Sequence, residues 1–133
     1  MSYPSWCQSI EQSHIEANVP DKNSFNNLLE RDLRVYFART LKKHDLLRVE
    51  YNLLREGPTQ TGIAYPKFYL WTKVYSGKEV VDEGAIRVAA VDRERFEITD
   101  FVSKRKIIAK PANVELVFPA ALTEKILRLA GVK

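Results

Sequence analysis

The sequence predicts an α+β domain: a single long helix packed on a curved antiparallel sheet of about four strands, with short terminal helices. Two periodicities carry this reading. From Phe25 to about Asp45, Phe25, Leu29, Leu33, Tyr36, Phe37, Leu41 and His44 recur at three- and four-residue steps, the spacing of one helix face. From Leu47 onward the period changes to two, broken only at turn residues, until about Val102. A curved sheet that clasps the helix buries both apolar patterns in one core.

The 133 residues are read as one domain, long enough to bury roughly two-thirds of the unfolded chain's surface. Residues 1–22 form an N-terminal extension, in which Trp6, Ile10, His14 and Ala17 predict a short helix from about Ser5 to Ala17. The single cysteine, Cys7, excludes an internal disulfide and a cysteine-rich zinc framework and points to a reducing compartment. With no apolar run of membrane-spanning length and no secretory pattern in the first 20 residues, a cytoplasmic protein without membrane contact is expected. The formal charge of +4, from 21 basic and 17 acidic residues, is too mild to argue for nucleic acid.

Along the chain, Pro20 to Ser24 reads as a break, with Asn23 or Ser24 available to cap the long helix. Leu47, Val49, Tyr51 and Leu53 then share one strand face, opposite Arg48, Glu50 and Asn52. After a loop at 56–62, the segment Tyr65–Tyr75 splits into an aliphatic face (Phe68, Leu70, Thr72, Val74) and an aromatic-basic face (Lys67, Tyr69, Trp71, Lys73, Tyr75). A tight turn at Ser76-Gly77 sets Thr72 across from Val81, and a bulge at Glu83-Gly84 brings Ile86, Val88 and Ala90 inward. A three-residue turn at Asp92-Arg93-Glu94 pairs Ala90 with Phe96, Val88 with Ile98 and Ile86 with Asp100. Lys104, Arg105 and Lys106 read as solvated surface, and Val114 to Phe118 as a short terminal strand. Pro119 opens a last helix with Leu122, Ile126 and Leu129 on one side and Gly131 as its stop. Over residues 24–103 this element order resembles the broad cystatin-like and nuclear-transport-factor-like class, in which a curved sheet wraps a helix. The resemblance rests on element order and transfers no functional residue.

Two sets of residues are candidates for function. Asp100 falls on the inward strand face between Ile98 and Val102, where a carboxylate must find donors, meet water in a cavity, or be desolvated at large cost; pairing with Arg87 is the structural alternative. A helix-clasping sheet brings Tyr36, Thr40, His44, Tyr51 and Asp100 toward one opening that suits a small polar ligand. In the enzyme version His44 is the general base, Asp100 its orienting carboxylate, and Tyr36 or Tyr51 a donor to developing negative charge. The two histidines, His14 and His44, form no ligand-spaced metal cluster. The loop Gly57-Pro58-Thr59-Gln60-Thr61-Gly62 is no phosphate-binding signature, and no dinucleotide or nucleophile-elbow motif occurs, so no cofactor or metal is expected.

The second set is the outer sheet face, where Lys67, Tyr69, Trp71, Lys73 and Tyr75 gather near Arg87 and Phe101. Rings with a basic rim fit a protein interface, so a noncatalytic protein-interaction domain that homodimerises through this face, or binds another protein there, is the first expectation. Trp71→Asp is then expected to break assembly and spare folding. The same face stacking on single-stranded nucleic acid ranks lowest, for want of any RNP-like motif.

Overall fold

The computed structural model describes residues 13–42 and 46–132. Of the short helix expected from about Ser5 to Ala17, residues 13–18 are helical, and the remainder lies outside the described residues together with Trp6 and Cys7. Buried Asn18 ties this segment to the body: its side chain accepts the Asp92 N–H at 3.0 Å, and its carbonyl accepts the Arg93 N–H at 2.8 Å.

The long helix, α1 (Lys22–Thr40), starts earlier than expected because Asp21 is its cap, accepting the Ser24 N–H at 2.9 Å. It ends earlier too, with Leu41 as C-cap and Lys42 in the left-handed region at φ 54°. Leu29, Leu33 and Phe37 are fully buried along it, each contributing about 1.5–3 kcal/mol relative to exposure.

Four strands follow as an antiparallel meander in the order β1-β2-β3-β4: β1 (Leu47–Leu53), β2 (Lys67–Ser76), β3 (Glu79–Val91) and β4 (Arg95–Ser103). Their inner residues, including Val49, Leu70, Val74, Ile86, Val88 and Phe96, close one core against α1. Phe25 sits edge-on to both Phe68 and Phe96, with ring centroids 5.0 Å apart in each pair.

The sheet register departs from the expected one at two places. The β2–β3 turn is Gly77-Lys78, with Gly77 at φ 63° and Ser76 facing Glu79, so the pairing is shifted from a Ser76-Gly77 turn. The bulge on β3 falls at Val81, between the pairs Tyr75–Val80 and Val74–Asp82, while the pairing runs straight through Glu83 and Gly84. The Asp92-Arg93-Glu94 turn forms, with Asp92 and Arg93 both at positive φ, and the pairs Ala90–Phe96 and Val88–Ile98 are as expected. A second bulge, at Thr99, then moves Asp100 opposite Arg87 and Phe101 opposite Ile86.

The outer face of the sheet carries a third layer. Ser103 caps a short helix, α2 (Lys104–Ala109), by accepting the Lys106 N–H, so the basic run expected as solvated surface is helical, with Arg105 and Lys106 exposed. A 3₁₀ turn (Pro111–Asn113) and further turns replace the terminal strand expected at Val114 to Phe118, and α3 (Ala120–Leu129) follows. Leu122 and Ile126 are its buried residues and Ala130 is buried at its C-cap, while Leu129 is exposed. Ile107, Val114, Phe118, Leu122 and Ile126 close a second core on the outer face with Tyr69, Trp71, Ala85 and Val102. Among the described residues no helix is long and apolar enough to cross a membrane.

Candidate functional site

The aromatic strand face is covered by the chain's own C-terminal segment. Tyr69 and Trp71, expected at an intermolecular contact, are only 5% and 4% exposed, because the turns after α2, together with α3, supply the apolar partner within one molecule. Each polar tip has a bond: the Tyr69 hydroxyl lies 2.7 Å from Thr59 Oγ1, and Trp71 Nε1 donates to Glu83 Oε2 at 3.0 Å. Neither ring retains a free face on which a base could stack. Lys73 remains exposed and Tyr75 half-buried, with the Arg48 guanidinium 4.0 Å from the Tyr75 ring centroid. Lys67 donates to the Tyr65 carbonyl at 2.8 Å, and its amine pKa is lowered by burial and by Arg87 nearby.

The Thr99 bulge also redistributes the other two candidates. Phe101 turns inward, edge-on to Phe37, rather than joining the outer face. Asp100 turns outward and forms an ion pair with Arg87, which also donates to Thr99 Oγ1 at 2.9 Å and to the Val117 carbonyl at 3.3 Å. Arg87 therefore ties β4 to the C-terminal cover, and the inward carboxylate expected from strict alternation is absent because one residue is skipped. Tyr36 and Tyr51 lie on the opposite, helix-facing side, where the Tyr51 hydroxyl donates to Asn26 at 2.7 Å and burial raises the phenol's pKa. The sheet separates these tyrosines from Asp100, and His44 lies outside the described residues.

A cleft of about 610 Å³ opens elsewhere, where the end of α1, the start of β3 and the β4–α2 junction meet. Leu41, Val80, Val81 and Ile108 give it apolar lining, and Asp82, Glu83, Ser103, Lys104 and Arg105 give it polar groups of both signs. Val80 and Ile108 are 45% and 54% exposed, too much apolar surface to be part of either core. Glu83 is held from two sides, by Trp71 and by Lys104 at 3.8 Å. Among the described residues no group of His, Cys, Asp and Glu side chains forms a metal site.

Asp82 is the perturbed acid of this cleft: burial raises its carboxyl above the ordinary 3.8, against the opposing effects of the Glu83 N–H it accepts and of Arg105 and Lys106. Above the raised value, the ionised Asp82 is a cost that the unfolded chain does not carry. As pH falls through the raised value toward 3.8 that cost fades, because the carboxyl is then protonated in both states. Asp82→Asn, which keeps an acceptor for the Glu83 N–H, is therefore expected to stabilise the fold at neutral pH, by less than about 1 kcal/mol after solvent screening. The gain should vanish below the ordinary carboxylate range, as read from paired urea titrations at pH 7 and in acid. A constant difference across that range would rule out the burial penalty.

Comparison of the chain with protein-family models, with curated proteins and with solved structures finds no match. The cleft escaped sequence reasoning because its residues come from four elements and share no motif. The legible signal was Val80, an apolar residue beside a tight turn on the solvent side of its strand.

Proposed function

We propose that this chain is a noncatalytic protein-interaction domain, cytoplasmic in keeping with its single cysteine, that receives a short amphipathic segment of another protein in the α1–β3–α2 cleft. The observation that supports the reading is the lining itself: exposed Val80 and Ile108 beside Leu41 and Val81, rimmed by Asp82, Lys104 and Arg105. An apolar centre with a polar rim of both signs is the anatomy of a protein interface. The helix-clasping architecture is kept in this reading as cystatin-like or nuclear-transport-factor-like in element order.

The enzyme alternative, with His44 as base and Asp100 as orienting carboxylate, is less favoured because Asp100 is engaged by Arg87 and separated by the sheet from Tyr36 and Tyr51. Panning a random peptide library against the intact chain tests the preferred reading. Selected peptides are expected to carry apolar residues flanked by charges, and to lose about tenfold or more in affinity when Val80→Asp or Ile108→Glu places a charge in the apolar centre. Binders indifferent to both substitutions, or no saturable binder, would remove the cleft as the site.

A further inference from the structure

The two edges of the sheet are treated differently by the fold. On β4, the Asp32 carboxylate accepts the Phe96 N–H at 2.7 Å and the Thr99 bulge breaks the line, while just before the strand Arg31 donates to the Glu94 carbonyl at 2.9 Å. These are recognised ways of closing a sheet edge. Among the described residues, β1 has none of them. Its seven residues contain no proline and no lysine, and its pairing with β2 runs without a register shift from Leu47 to Leu53.

Hydrogen-bond alternation shows which groups β1 turns outward. The Leu54 N–H donates to the Tyr69 carbonyl at 2.8 Å, so the hydrogen-bonded pairs with β2 are those of Leu54, Asn52, Glu50 and Arg48. The Glu50 carbonyl, which also accepts Thr72 Oγ1 at 3.0 Å, accordingly faces β2. The N–H and C=O groups of Leu47, Val49, Tyr51 and Leu53 point away from the sheet, and no described residue bonds to them through its backbone. Four such residues form a template for another strand.

We propose that the occupant is β1 of a second copy of this chain, paired antiparallel about Val49 so that two four-stranded sheets become one. Charge selects both the partner and the register. With Val49 opposite Val49 of the second copy, the outward-bonding Leu47, Val49 and Tyr51 face one another, and Arg48 stands directly opposite Glu50 of the second copy, twice by symmetry. Those two pairs fall at the non-hydrogen-bonded positions, where side chains come closest. On the inner face the same register sets Leu47 opposite Tyr51. Sliding by one step toward the C-terminus places Glu50 opposite Glu50, and toward the N-terminus Arg48 opposite Arg48, so both neighbouring registers are repulsive. The Arg48 and Glu50 side chains are 57% and 54% exposed and bonded to each other at 2.7 Å within one strand, with Arg48 also over the Tyr75 ring, so re-pairing across the two-fold axis exchanges solvent-exposed contacts rather than buried ones. This proposal is independent of the cleft, which uses none of these residues.

Complementary charge reversals on the full chain test it. Arg48→Glu and Glu50→Arg are each expected to weaken assembly by about tenfold or more, since each turns two attractive cross-strand pairs into repulsive ones. Mixed one to one, the two variants should recover the dimer, because every facing pair is again of opposite sign; misfolding cannot be repaired in that way. Light scattering after size exclusion at tens of micromolar reads the mass. Hydrogen exchange at Val49 and Tyr51 should slow as concentration rises, since only the second copy bonds their amides. A monomeric wild type, variants that assemble as the wild type does, or a mixture that stays monomeric would each overturn the proposal.

Discussion

Trp71→Asp is expected to leave the chain largely unfolded. The ring is 4% exposed in the core that joins the sheet to α2 and α3, and removing a buried aromatic of this size costs about 3–5 kcal/mol. An aspartate there adds an unpaired carboxylate, worth several kcal/mol more, next to a Glu83 that has lost the indole donor. Against a total of about 5–15 kcal/mol for a domain, that sum removes most or all of the stability. This reverses the expectation from the strand pattern alone, that the substitution would break assembly and spare the fold. Urea unfolding followed by circular dichroism gives the measurement, with Trp71→Phe as control, expected to lose only about 1–3 kcal/mol for the Glu83 bond and the smaller ring. A Trp71→Asp midpoint near the wild type would mean that the C-terminal layer does not depend on the ring.

Gly84→Ala is expected to be nearly as damaging for its size. A β-carbon at Gly84 would overlap the Val102 carbonyl oxygen and lie 2.8 Å from Ser103 Cα and 2.9 Å from the Phe101 ring. The first two are backbone atoms of β4, paired with β3 at this point, so relief requires the strands to part. Overpacking of this kind costs about 1–3 kcal/mol, and the backbone neighbours place Gly84→Ala at the upper end. Since Ser103 caps α2, the disturbance reaches the cleft as well. The expected result is a Gly84→Ala protein with a lower unfolding midpoint and faster hydrogen exchange at Ser103 to Ile107. An unchanged midpoint would show that β4 moves away at no cost. The glycine is required here by close approach, not by a bulge.

Several elements were legible because local periodicity reports a local fact. The α1 face, the division of β2 into Phe68-Leu70-Thr72-Val74 and Tyr69-Trp71, and the turn at Asp92-Arg93-Glu94 each follow from spacing within a few residues. At its start α1 begins three residues before the expected Phe25, because Asp21 rather than Asn23 or Ser24 is the cap and all three residue types can fill that role; at the end, the apolar spacing continued past Thr40 although the backbone had turned at Lys42. His44 and residues 5–12 of the expected N-terminal helix fall outside the described residues.

The bulges were not legible, and they decided the fate of the candidate site. Phe96-Glu97-Ile98-Thr99-Asp100-Phe101-Val102 alternates well enough to place Asp100 inward, and only pairing with β3 reveals that Thr99 is skipped. One skipped residue exchanged Asp100 for Phe101 in the core and gave Asp100 the partner Arg87, the structural alternative to a pocket acid.

By itself, then, the sequence determined that this chain has one long amphipathic helix, four alternating strands in meander order, and a second strand face too aromatic to stay in water. Only the tertiary structure decided what covers that face, because burial of Tyr69 and Trp71 is driven by area removed from water and is indifferent to whether the covering side chains belong to α3 or to another molecule. Only the tertiary structure, too, made β1 an edge strand, since a strand's hydrogen-bonding direction depends on which neighbour it has and on which side.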